Sequence, residues 1–407
     1  MGERVMIGRR LMAVVAVCAA LLAVPAPARA AVVCPTVAQA KPVFAGVPLE
    51  DQSYDPARLA PFATGAGVRV AVIDSGVDAT HPQLRGHVSQ GTDFLHGERS
   101  GRQDCNGHGT HVASIIAAQP VDGTGFRGLA PDAVIVPVRI SEQEEIDGKA
   151  VGDDGSPAQF ADAIDWAAGP GEADVINISL VMTGDNDAVR AAVERAIARG
   201  VVVVAAAGNK GAPDDGNLDP YPALYPGVIG VGAITPAGVR AVFSQRGEYV
   251  DLVAQGAPVT VASRIAGHES VQGTSFSAPF VSATAALLKQ RFPALTPAEV
   301  RQRLVATADP APGGTRSDEY GFGALNPYRA LTASLGPAGG PEQVPAAMTM
   351  TDPKVAALEA RRERSRDNAL LFAAVGAGLV LLLGVVAVVL RQGRRRGWHP
   401  ATPADHD

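Results

Sequence analysis

The chain has 407 residues, 47% of them hydrophobic and 19% charged, which suits one large folded core with accessory segments and excludes a disordered protein. The formal charge is −6, but both ends are rich in Arg, so the body between them is distinctly acidic. It carries no basic stripe with interleaved aromatics, which argues against a nucleic-acid partner.

Both termini read as membrane signals. Arg4, Arg9 and Arg10 precede an apolar run over 11–24, and Ala28-Arg29-Ala30 offers a small-x-small cleavage site, so 1–30 is predicted to be a secretory signal peptide. Residues 31–66 are Pro-rich without clear periodicity and are expected to form an extended arm wrapped on the domain that follows. Cys18 belongs to the signal peptide. Cys34 and Cys105 remain as an even pair in an oxidising compartment, and a disulfide between them is predicted.

From residue 67 the pattern alternates. Apolar strands are predicted at 67–73, 133–140, 174–180, 201–207 and 227–234, with helices at 107–119, 158–168 and 187–199. The last of these is closed by Gly200. Nearly continuous apolar strands separated by helices imply an α/β fold whose mostly parallel central sheet is covered on both faces. Short segments near 249–253 and 259–262 precede Gly273-Thr274-Ser275-Phe276-Ser277-Ala278-Pro279, which opens an amphipathic helix. Thr296-Pro297-Ala298-Glu299 then combines a capping box with a first-turn proline and starts a helix to about 306.

The peptidase-sized domain, 67–333, is expected to end where Gly and Pro take over, with linker and juxtamembrane sequence over 334–368. Residues 369–390 form a run of 22 without a charge, long enough to span a bilayer. Arg391, Arg394, Arg395 and Arg396 follow and place the 391–407 tail in the cytoplasm. The expected topology is a single span with the folded body outside.

Four residues fall where an open α/β sheet gathers its ligands, beyond strand ends or at helix starts. Asp74 follows the first strand, His108 opens a helix between two glycines, Asn209 follows Ala207-Gly208, and Ser275 sits at a helix N-terminus. Taken singly, each has a plain reading as a turn residue or cap. Together they supply a nucleophile, its base, the carboxylate that orients the base, and an amide donor for an oxyanion. His108 and His111 lack the Glu of a zincin helix and a third ligand, so no metal is assigned to them. Acidic stretches at 142–147, 153–154 and 214–215 are either solvated faces or calcium loops. None has the regular ligand spacing of a strong calcium site, and no cofactor is expected.

The three blocks Val72-Ile73-Asp74-Ser75-Gly76, Asn106-Gly107-His108-Gly109-Thr110-His111 and Gly273-Thr274-Ser275, in that order and with Gly208-Asn209 between the last two, resemble the subtilase family over about 65–330. The whole layout is similar to mycosins, the membrane-anchored subtilases of type VII secretion systems. The resemblance implies a serine endopeptidase with Asp74, His108 and Ser275 as its triad and Asn209 in the oxyanion hole. Ser179, Leu180 and Gly208 would bind the substrate, a protein or peptide. It makes His111 structural and supports the Cys34–Cys105 bridge. It further implies association with a type VII membrane complex, with a stabilising subunit of that complex as the alternative role. The chain departs from secreted subtilisins in two ways. Too little sequence precedes Asp74 for a folded inhibitory prodomain, and Val181 and Met182 replace glycines after Leu180, which should favour small residues at the cleaved position.

Overall fold

The computed structural model describes residues 34, 39–146, 149–314, 316–335 and 391. The expected signal peptide, most of the linker, the 369–390 run and all but one residue of the tail lie outside these. No helix among the described residues is long and apolar enough to cross a membrane. The chain divides into two compact units, 1–342 and 343–407, and the fold below is that of the first.

The core is a sheet built from β1 (Arg69–Asp74), β2 (Thr92–Asp93), β3 (Val134–Arg139), β6 (Val175–Ile178), β7 (Val202–Ala206), β8 (Ile229–Ile234) and β9 (Leu252–Gln255), completed by β12 (Asp309–Pro310) and β13 (Gly323–Ala324). The order across it is β12-β13-β9-β8-β7-β6-β1-β3-β2. All neighbours are parallel except β12 and β13. Two small antiparallel pairs stand outside it: β4 (Glu144–Ile146) with β5 (Lys149–Val151), and β10 (Val259–Ala262) with β11 (His268–Val271).

Alternation along the strands divides the apolar side chains between two layers. Val70, Val72, Val175, Val204 and Ala206 pack with α3 (His108–Ala117) and α6 (Thr274–Arg291). Ala71, Ile73, Ile176, Ile178, Val203 and Ala205 pack with α4 (Pro157–Ala168) and α5 (Asp187–Ala198). Both faces are thereby covered, which is why the strands are apolar at almost every position. Helix α7 (Pro297–Ala306) begins with the predicted capping box, and α8 (Pro327–Thr332) ends the domain.

Two expectations need correction. Helix α6 is not amphipathic: Thr274 to Leu288 are all buried, because the sheet covers one side of the helix and other helices the rest. The segment 39–66 is not wholly extended, since α1 (Leu49–Tyr54) and α2 (Pro56–Leu59) form within it. Asp55, in the left-handed region with φ 48°, separates the two and caps α2. The short segment at 259–262 forms β10, which pairs with β11 and not with the main sheet.

Candidate active site

Parallel strands point their carboxyl ends to one edge, and β1 delivers Asp74 there fully buried. His108 is the first residue of α3, with Nδ1 2.7 Å from Asp74 Oδ1. Asp74 Oδ1 also accepts the Ser75 N–H at 2.8 Å, which fixes the carboxylate. The approach of α3 to β1 requires Gly109, because a Cβ at that position would overlap the Gly76 carbonyl oxygen.

The loop before His108 is held by a residue that sequence reading passed over. Asp104, 5% exposed, accepts hydrogen bonds from Ser75 Oγ, from the Asn106, Gly107 and Thr110 N–H groups and from Thr110 Oγ1. Ser75 Oγ in turn accepts the Gly109 N–H at 2.9 Å. A carboxylate at a helix start is both cap and counter-charge to the helix dipole. The signal was an Asp four residues ahead of a helix-opening His, common enough at helix starts to escape notice.

Burial alone would push the His108 pKa down. The Asp74 charge and hydrogen bond, aided by the Asp104 charge, outweigh burial and hold it above the ordinary 6.5. The Phe276 ring packs beside His108 at 5.2 Å between centroids. His111 turns away from this pair, its Nε2 lying 3.2 Å from Glu269 Oε1, as suits a structural residue.

Ser275 is the second residue of α6, so its N–H has no acceptor within the helix and faces outward from the helix start. Its Oγ donates to the Ser179 carbonyl oxygen at 3.0 Å rather than to His108. Asn209 Oδ1 accepts from both Thr274 N and Thr274 Oγ1 at 2.9 Å. With the oxygen so occupied, the Nδ2 donors are left for the cleft, which Asn209 lines together with His108 and Ser275. This cleft has a volume of about 800 Å³. Gly208 has φ +95°, and a Cβ there would collide with Gln245. Ser179, Leu180 and Gly208 lie outside the lining of the cleft. Ser179 is buried against Ser275, Leu180 packs partly into the α4–α5 layer, and the Gly208 N–H donates to Thr274 Oγ1. Met182 pairs antiparallel with Tyr221.

The structure also joins Cys34 to Cys105, the residue next to Asp104. Among the described residues, one set could converge on a cation: His96, Glu142 and Asp153, with ligand atoms within 4.8 Å of one another. Glu142 already pairs with the buried Arg139, which also contacts Asp93, and the set reads as an ion-pair network rather than a metal centre.

A family model for the subtilases matches residues 65–323. The chain is a subtilase. This subtilase is 38% identical over 371 residues to mycosin-1 of Mycobacterium tuberculosis, covering 80% of this chain and 81% of the relative. It is also 38% identical over 247 residues to a subtilisin of Bacillus pumilus, covering 60% and 85%. Among solved structures it is similar to MycP1 from the ESX-1 type VII secretion system, with TM-score 0.62 and 34% identity over 77% of this chain and 93% of that one. The subtilase is accordingly a serine endopeptidase of the mycosin-like kind.

Proposed function

We propose that Asp74, His108 and Ser275 form the catalytic triad of a membrane-anchored endopeptidase that works outside the cytoplasm in association with a type VII secretion complex. The observation that carries the chemistry is the 2.7 Å contact of His108 Nδ1 with Asp74 Oδ1 in a cleft that also holds Ser275. Asp74 accepts from Nδ1, which leaves the Nε2 lone pair to take the Ser275 proton once Oγ rotates from the Ser179 carbonyl toward the imidazole. Oγ then attacks the peptide carbonyl, and His108 becomes an imidazolium stabilised by Asp74. The oxyanion is received by the Ser275 N–H and Asn209 Nδ2. His108 next protonates the leaving amine, and water reverses the sequence to release the acyl group.

Substrate pairing along Ser179 and Leu180, beside Gly208, and a preference for small residues at the cleaved position belong to the same reading. Location rests on the 1–30 and 369–390 sequence patterns. Association with secretion rests on likeness to mycosin-1 and to a protein described as part of a type VII system. The test is labelling with a fluorophosphonate probe together with peptide hydrolysis. Ser275→Ala should abolish both in protein that remains folded. Undiminished labelling of that variant would remove Ser275 from its role.

A further inference from the structure

The cleft at Ser275 is not built by the sheet edge alone. Gln39, Ala40 and Lys41 line it together with His108, Asn209 and Ser275. The segment that carries them is bonded to the turn and the start of β11 in the β10–β11 hairpin. The Lys41 N–H donates to the Ala266 carbonyl at 2.9 Å, and the Pro42 carbonyl accepts the His268 N–H at 3.0 Å. Gly267, with φ +82°, permits this approach, because a Cβ there would overlap the Lys41 carbonyl. The Cys34–Cys105 bridge holds the same end of the chain to the loop before His108.

The direction of this cleft follows from its lining. It includes Val271, Gln272 and Phe276 but neither Ser179 nor Leu180, so it extends from Ser275 away from the edge assigned to the acyl half of the substrate. On that assignment, residues after the cleaved bond lie here. Besides His108, the ionisable groups in the lining are Lys41, Arg264, His111 and Glu269. Glu269, the one carboxylate, is already bonded to His111 at 3.2 Å. The Arg264 stem lies against Gly107, and its Nη1 donates to the Cys105 carbonyl, so the guanidinium is held three residues before the start of α3. Lys41 is exposed, and its charge is near enough to Glu269 to help hold that carboxyl low. Two cations face a single, engaged carboxylate, a balance that attracts an anion on the leaving-group side.

We infer that Lys41 and Arg264 are specificity-determining residues that select substrates with Asp or Glu immediately after the cleaved bond, an inference that rests on Ser275 being the nucleophile. The experiment uses three internally quenched peptides with one common acyl half and Glu-Glu, Gln-Gln or Lys-Lys after the bond, assayed with the full chain. The wild type should prefer Glu-Glu over Lys-Lys in kcat/KM by about tenfold at low salt, the sum of two modest charge pairs, and the ratio should shrink in high salt. Lys41→Glu should bring the ratio to one or below, and Arg264→Gln should reduce it. Each ratio is internal to one protein sample and is indifferent to the fraction folded. Equal hydrolysis of the three peptides, or a preference unchanged in Lys41→Glu, overturns the inference and leaves the triad standing. Hydrolysis that persists in Ser275→Ala overturns both.

Discussion

Ser179 and Ser275 exchange two hydrogen bonds: Ser179 Oγ donates to the Ser275 carbonyl oxygen at 2.7 Å, and Ser275 Oγ donates to the Ser179 carbonyl oxygen at 3.0 Å. The first is possible because Pro279, four residues on in α6, has no N–H to claim the Ser275 carbonyl. Behind this pair the chain of donors continues, with Asn177 Nδ2 donating to Ser179 Oγ at 3.0 Å and Ser282 Oγ donating to Asn177 Oδ1 at 2.8 Å. A buried polar relay thus ties the end of β6 to the start of α6. Ser179→Ala should leave the Ser275 carbonyl and the Asn177 amide unpaired, costing about 1–3 kcal/mol of stability. Thermal or urea unfolding would show it, and an unchanged midpoint would mean that the relay contributes little.

Asn209→Ala tests the oxyanion hole. The loss expected is roughly 10²–10³ in kcat with a smaller change in KM, the range established for removing one such donor, subtilisin included. A decrease below about threefold in a folded variant would take Asn209 out of that role.

Because Asp74 and Asp104 hold the His108 pKa above 6.5, the acid limb of kcat/KM should lie above that pH, since in the proposed mechanism His108 must be neutral to accept the Ser275 proton. Asp104→Asn removes one of the raising charges and should move the limb downward. A pH profile measures the midpoint independently of how much enzyme is folded. A limb unmoved by Asp104→Asn would leave that residue with a capping role alone.

A second histidine governs stability. His268 is 8% exposed, its Nδ1 accepts the Phe44 N–H at 3.0 Å and its Nε2 lies 2.7 Å from Gln83 Oε1. Burial, with His81 nearby, holds its pKa down to about 4. The unfolded chain therefore takes up this proton first, near 6.5. Stability from this site is complete above that pH, falls as pH drops from about 6.5 toward 4, and levels off below. The difference in urea-unfolding midpoint between the wild type and His268→Gln should change with pH across this range, and a difference independent of pH would remove His268 as its source.

The layers and the site were legible in the sequence to different depths. Strand positions such as 70–73 and 202–206 announced themselves because both faces of a parallel sheet are buried, which makes the run apolar whatever the neighbours. The two-residue strands β2, β12 and β13 left no mark, since a pair of residues has no period and their pairing is decided by what lies beside them. Helices α1 and α2 were hidden by prolines that read as breaks but act as the residue before one helix and the first residue of the next. Asp104 drew no notice, because an Asp a few residues ahead of a helix is common.

By itself the sequence determined which groups could act. Asp74, His108, Asn209 and Ser275 were marked by their types, their order and their places at strand ends and helix starts, because backbone geometry makes those places converge in any open α/β sheet. Tertiary structure decided their relations. It set the 2.7 Å contact of Asp74 with His108, turned the Asn209 oxygen toward Thr274, and rested the Ser275 hydroxyl on Ser179. It also brought Lys41 to the cleft across more than two hundred residues of chain, to pair with Ala266. Such relations depend on distances between segments far apart in sequence, and only packing fixes those distances.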